Sequence, residues 1–113
     1  MKIVLSLVLA IGLLSGCSSV STGGYYWGEY SESYFSLVKD RNAETISNRV
    51  KALEEIVSES ASRDLRVPPG IHAELGMIYM DAGRGDEGMA QFETEVILYP
   101  EAKPFIERLL ARR

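Results

Sequence analysis

The chain carries one histidine and one cysteine, and neither stands where a reaction centre would need it. A metal at His72 would need carboxylates such as Glu74 or Asp81. Neither lies three or four residues from His72, the spacing that points helical side chains together. His72 is therefore read as a packing or partly exposed side chain, and no metal ligand set is expected. A single Cys excludes an internal disulfide and a Cys-based zinc site. Glu54-Glu55 and Asp86-Glu87 are adjacent pairs. Their side chains diverge on a helix, so they are read as solvated faces and not as an acid–base dyad. The run Asp81-Ala82-Gly83-Arg84-Gly85 has no strand before it and no Lys-Ser/Thr after it, which makes it a turn and not a phosphate loop. No serine has an assignable His-Asp arrangement. Neither enzymatic activity nor a cofactor is expected.

The chemistry that the N-terminus does support is covalent. Lys2 is a short positive region, and Ile3 to Leu14 is apolar apart from Ser6 and Gly12. That run fits a signal-peptide core and falls short of the ~20 apolar residues of a comfortable membrane span. Leu14-Ser15-Gly16-Cys17 follows and resembles the bacterial lipobox, in which a branched apolar residue and two small residues precede a cysteine that takes a lipid. An ordinary secretory leader with a chance Cys, or a retained membrane helix, would leave the position of the only Cys unexplained. The expected layout is a lipoprotein signal peptide over residues 1–16, lipidated Cys17 with a flexible tether over residues 17–24, and one domain over residues 25–113. Several acyl chains anchor durably, since each buried CH₂ contributes ~0.8 kcal/mol. Ser18 in place of Asp resembles the sorting signal for the outer membrane in a Gram-negative cell. The expected location is the outer membrane, lipid-anchored and facing the periplasm.

Length and charge narrow the rest. The chain has 113 residues, 12 Lys+Arg against 16 Asp+Glu and a formal charge of −4, enough for one small domain. The acidic balance argues against nucleic acid, which requires a basic face to displace counterions. Ser18 to Gly24 is small and polar, and such a tether reaches at most ~25 Å.

Six of the ten aromatic residues lie between Tyr25 and Phe35, including Tyr25, Tyr26, Trp27 and Tyr30. They are expected to pack over the domain, to sit at lipid headgroups, or to form a partner-binding patch, where Tyr and Trp are the usual anchors.

Beyond them the pattern is helical. Ser31 to about Lys39 predicts a first helix, with Ser31 as N-cap. Asn42 predicts the cap of a second helix over Ala43 to about Ser62, with an apolar stripe of Ile46, Val50, Leu53 and Val57 widened by Ile56. Leu65 to Gly70 contains two prolines and reads as a linker. A third helix is expected from Ile71 to Ala82, closed by glycine. A fourth is expected from an Asp86 cap to about Leu98, and a last one from Lys103 to Ala111.

Pro69 to Ala102 spans about 34 residues, the period of a tetratricopeptide repeat. Leu75-Gly76 with Tyr79, then Gly88, Phe92 and Pro100, resemble the positions of that repeat. His72 stands in place of its usual Trp and Glu95 in place of a usual Ala. The predicted fold class is all-α: a tetratricopeptide-like stack of helical hairpins with a C-terminal capping helix. Gly76 would permit close helix approach, and Phe92 would face Leu75 and Tyr79. The chain also resembles a family of small, uncharacterised outer-membrane lipoproteins. The resemblance rests on Tyr26-Trp27-Gly28-Glu29-Tyr30, on Leu65 to Ile71 followed by Ala73-Glu74-Leu75-Gly76, and on Tyr99-Pro100-Glu101. It implies an envelope assembly whose other members include a lipoprotein similar to the curli-secretion channel.

Such stacks bind on the face lined by the first helix of each hairpin. Ala73, Met77, Met80 and Asp81 fall there, off the Leu75–Tyr79 face, and methionine adapts to varied partners. The alternative is that the Tyr25–Tyr34 segment folds back and fills this groove. The expected function is a non-enzymatic adaptor or scaffold for an envelope assembly or secretion complex. The other expectation is a regulator of a periplasmic, peptidoglycan-synthesising enzyme.

Overall fold

Asn42 starts the longest element through a reciprocal cap. Its Oδ1 accepts from the Thr45 N–H at 2.9 Å, and the Thr45 hydroxyl accepts from the Asn42 N–H at 3.0 Å. Two orphan donors of the first turn are thereby satisfied. The structure, a computed structural model, describes residues 24–113. The expected leader, Cys17 and most of the tether lie outside the described residues. The helices are α1 (Tyr30–Lys39), α2 (Ala43–Ser62), α3 (Ile71–Asp81), α4 (Gly85–Leu98) and α5 (Lys103–Ala111), with a 3-10 turn over Pro100–Ala102. Among the described residues there is no strand, so the fold is all-α.

Two helix starts differ from the sequence expectation. Helix α1 begins at Tyr30, and Ser31 lies inside it. Gly28 adopts φ 42°, and the turn it makes lets the Tyr30 N–H reach the Trp27 carbonyl at 2.9 Å, one residue ahead of the expected cap. Helix α4 begins at Gly85, so Asp86 sits in its first turn beside Glu87 and is not its cap. The cause lies in the end of α3. Gly83 takes φ 78°, and the Arg84 N–H bonds back to the Tyr79 carbonyl at 2.9 Å. This Schellman closure delivers the chain directly into the next helix. Helix α2 closes in the same way, with Asp64 in the left-handed position at φ 53° and the Leu65 N–H on the Ser60 carbonyl at 2.8 Å.

Helices α1 and α2 form one antiparallel-type hairpin, α3 and α4 a second, and α5 follows the 3-10 turn. Helix α3 is buried on several sides, because α2 packs on one flank and α4 on the other. Its N-terminus is capped by Gly70, which has no side chain to offer. Glu95 of α4 supplies the acceptors instead, taking the Gly70 N–H at 2.7 Å and the Ala73 N–H at 3.3 Å. A buried glutamate where small residues are usual is thus the capping group of the neighbouring helix, and its charge favours that helix's positive end.

Two clusters form the core. Leu53, Ile56, Ile71, Leu75 and Tyr79 join α2 to α3. Ala73, Phe92 and Ile106 join α3, α4 and α5, with Met77, Met80 and Leu110 packed against them. Phe92 therefore does not face Leu75 and Tyr79 as expected. Its ring passes over Gly76 to the opposite side of α3, where a Cβ at residue 76 would lie 2.6 Å from the ring. Gly88 meets the same crossing from α4, 2.9 Å from the Gly76 carbonyl by the same measure. The expectation that small residues permit close approach holds at both positions.

Candidate interaction surface

The apolar stripe of α2 is rotated from its predicted line. Leu53 and Ile56 are buried, but Ile46, Val50 and Val57 are only half-buried, and Arg49 and Ser60 take the centre of the face. Arg49 is 0 % exposed. Its Nε and Nη2 donate to the two carboxylate oxygens of Glu74, each at 2.7 Å. Its Nη1 donates to the Tyr30 carbonyl at 2.6 Å and to the Ser33 hydroxyl at 2.9 Å. The guanidinium also lies 4.1 Å from the Tyr30 ring centroid. One side chain of α2 therefore ties α1 to α3 and sets the spacing between them. Sequence reasoning missed it, although position 49 falls three residues after Ile46 and four before Leu53, inside the apolar stripe.

Between α1 and α3 runs a groove of about 360 Å³. Tyr34, Leu37 and Val38 form one wall, Met77 and Ile78 the other, with Arg41 and Asp81 at its margins. Glu74, held by Arg49, lines it as well. Asp81 accepts from Arg113 Nη1 at 2.7 Å.

The residues expected to bind a partner divide into two groups. Met77 and Asp81 line the groove. Ala73 is 6 % exposed beneath Phe92 and Ile106, so its place in a groove is corrected: α5 docks on that side of α3 and makes it core. Met80 likewise turns toward α4, onto Gly88. The N-terminal aromatics form a ladder. Tyr25 and Trp27 meet edge-on at 6.2 Å, Trp27 and Tyr30 edge-on at 5.1 Å, and Tyr30 and Tyr34 stack at 6.4 Å. The ladder leads into the groove, of which Tyr34 is a wall, and leaves it open. Tyr26 points the other way. Its hydroxyl donates to Glu55 at 3.0 Å and Arg63 lies 4.5 Å from its ring centroid. The hydrogen bond to Glu55 holds this phenol above its ordinary pKa.

The titratable groups elsewhere serve packing. His72 is buried, with Nδ1 2.7 Å from Gln91 Oε1. Glu54 and Glu55 diverge, as their adjacency predicts: Glu54 accepts from the Tyr79 hydroxyl at 2.6 Å while Glu55 serves Tyr26. Burial, aided by Glu54, pushes the Tyr79 phenol up to about 12. Glu87 pairs with Arg84, which holds its carboxyl below the usual range. Among the described residues no three His, Cys, Asp or Glu side chains gather as a metal site would require. No described helix is long and apolar enough to cross a membrane.

The profile of a domain of unknown function, DUF4810, matches residues 25–109. The chain belongs to this family. The matched span opens at Tyr25, the first rung of the aromatic ladder, and closes within α5. The matched span thus covers, in this chain, the residues of the ladder, the Arg49–Glu74 tie, both hairpins and the groove. No curated protein and no solved structure matches the chain.

Proposed function

We propose that the chain is a non-enzymatic adaptor. A lipid on Cys17 would hold it at the bacterial outer membrane, facing the periplasm, while the α1–α3 groove docks a segment of another envelope protein. The observation that carries this reading is the groove itself. It lies between the first helices of two successive hairpins, the binding side of tetratricopeptide-like stacks. Val38 on one wall is 66 % exposed, and Met77 opposite it is half-buried. A short amphipathic helix or extended segment presenting two or three apolar side chains suits such a wall pair. The family resemblance read from the sequence adds a candidate, a lipoprotein similar to the curli-secretion channel.

The test is in-cell crosslinking of the anchored protein from purified outer membranes, with partners identified by mass spectrometry. Val38→Glu with Met77→Glu is expected to lower recovery of the main partner at least about tenfold, the loss of two apolar contacts in a desolvated patch. Because Met77 also packs on the second core cluster, Val38→Glu alone, at a residue 66 % exposed, is the control that should weaken capture with the far-ultraviolet helical signal at the wild-type level. Undiminished capture by the folded variant would discard the groove. A partner whose catalytic rate changes on binding would favour the enzyme-regulator role over the scaffold. The anchor is tested separately. Cys17→Ser is expected to abolish incorporation of labelled palmitate and to release the chain from the membrane fraction. Continued incorporation would defeat the lipobox assignment.

A further inference from the structure

The α1–α3 groove is lined by three charged side chains, Arg41, Glu74 and Asp81. Its two carboxylates are already committed. Glu74 takes the fork of buried Arg49 through both oxygens, each at 2.7 Å. Asp81 accepts from Arg113 Nη1 at 2.7 Å. Arg41 is exposed and makes no ion pair among the described residues. Lys39, Asp40 and Glu44 are close to it in the chain, but none of them lines the groove. Asp40 Oδ2 accepts from Asn42 Nδ2 at 3.1 Å, and Glu44 sits in the first turn of α2, at that helix's positive end. Between its apolar walls the groove thus presents one uncompensated charge. That charge is positive, in a chain whose formal charge is −4.

We propose that the groove selects a peptide segment in which an Asp or Glu stands close to the apolar side chains it buries. This selectivity rests on the docking role of the groove and names the chemistry of the segment docked there. Tyr34, Leu37 and Val38 face Met77 and Ile78 across the groove and take the apolar side chains. Arg41 stands three residues beyond Val38, at the margin it shares with Asp81. The carboxylate therefore belongs about one helical turn, or two extended residues, from the apolar anchor. The planar guanidinium accepts it through two parallel hydrogen bonds. A Lys or Arg at that place would meet Arg41 with like charge and find no free acceptor, because Arg49 and Arg113 hold both carboxylates of the groove. A wholly apolar segment would strip water from Arg41 and return nothing. The segment also has a direction. Its carboxylate lies at the margin where α1 and α3 end, whereas Tyr34, farther back on the same wall, offers a phenol and no charge.

Panning short random peptides displayed on phage against the full chain in lipid nanodiscs reads the preference directly. Enriched peptides are expected to carry Asp or Glu within about four residues of an apolar pair, and to lose binding to Val38→Glu. The commonest of them, made synthetically, is the affinity probe. Exchanging its carboxylate for the carboxamide should weaken binding to the wild type about threefold, the scale of an exposed ion pair. Arg41→Glu should weaken the acidic peptide about tenfold, because attraction becomes repulsion. The same peptide with Lys in place of the acid should bind Arg41→Glu more tightly than it binds the wild type. Arg41 is exposed in the turn between α1 and α2, so this variant keeps the wild-type helical signal. Enriched peptides that need Val38 but show no acidic preference, or acidic peptides indifferent to Arg41→Glu, would overturn the proposed selectivity and leave the groove as a docking site. Peptides indifferent to Val38→Glu, or no enrichment at all, would overturn the selectivity and the docking role together.

Discussion

Glu74→Ala is expected to cost about 3–5 kcal/mol of folding stability, the penalty for stranding a buried charge. Such a loss is a large share of the 5–15 kcal/mol typical of a whole domain. Arg49 is fully enclosed, and two of its three donor nitrogens depend on Glu74. Without that carboxylate the guanidinium keeps the Tyr30 carbonyl, the Ser33 hydroxyl and the rings of Tyr30 and Tyr34, which are neutral and leave its charge unpaired. Arg49→Met should cost less than Glu74→Ala. It removes the charge, its thioether chain fills part of the space, and the Tyr30 carbonyl keeps the Ser33 hydroxyl at 3.2 Å. The double variant Arg49→Met with Glu74→Leu should be more stable than Glu74→Ala alone, because a buried ion pair replaced whole by apolar groups is often tolerated. Urea unfolding followed by circular dichroism reads all three. Raised salt should change the wild-type midpoint only modestly through this pair, since the Arg49 side is enclosed while Glu74 meets the groove. A Glu74→Ala cost below about 1 kcal/mol would place the pair among surface bridges.

Gly76→Ala is the second large effect. Alanine is the better helix former by about 1 kcal/mol, so an open helical site would gain from the change. Here the new methyl would lie 2.6 and 2.7 Å from two ring carbons of Phe92 and 3.0 Å from the Gly88 carbonyl. Overpacking of this kind costs about 1–3 kcal/mol and outweighs the propensity gain in a crossing that cannot open without moving α4. The expected net loss, up to about 2 kcal/mol, corresponds to a drop of up to roughly 16 °C in Tm for a domain this small. Phe92→Leu added to Gly76→Ala should recover part of the loss and no more, because the Gly88 carbonyl is backbone and stays in place. Gly85→Ala is the control. A Cβ there meets nothing within 4 Å, so its Tm should hold or rise. A Gly76→Ala protein as stable as wild type would mean that α3 and α4 slide apart freely.

The local signals in the sequence located the helices well wherever the deciding group was a neighbour in the chain. Asn42 and Thr45 cap α2 from within a few residues, and Gly83 closes α3 in the same way. Pro100 ends α4, and α5 begins at the expected Lys103. The reading failed where a distant group decided. Asp86 has the chemistry of an N-cap, but the closure of α3 fixes the cap two residues earlier, at Arg84. Glu95 looked like an awkward replacement for a small residue, because its two backbone partners lie more than twenty positions upstream. Arg49 was passed over since periodicity counts apolar residues, whereas its burial depends on a carboxylate 25 positions away. The groove was half legible. Met77 and Asp81 were named from helical spacing, but Ala73 and Met80 share that spacing and differ only in that α5 and Gly88 reach their side of α3. The opposite wall is not legible: the sequence does not separate Tyr34 from the other aromatics or single out Val38, because the placement of α1 depends on Arg49.

The Tyr25 hydroxyl lies 3.3 Å from that of Tyr99, which donates to the Val67 carbonyl at 2.7 Å. The start of the domain is thereby fastened to the end of α4 and to the connection between the hairpins. Tension entering along the chain from a membrane-bound N-terminus would meet this three-point clasp before it reached α1. It would load the seam between the hairpins in shear, where many groups must give way together, and would not peel off a single helix turn by turn. On the proposed lipid anchor, the clasp would act as a strain relief, keeping the groove walls in register under a pull on the N-terminus.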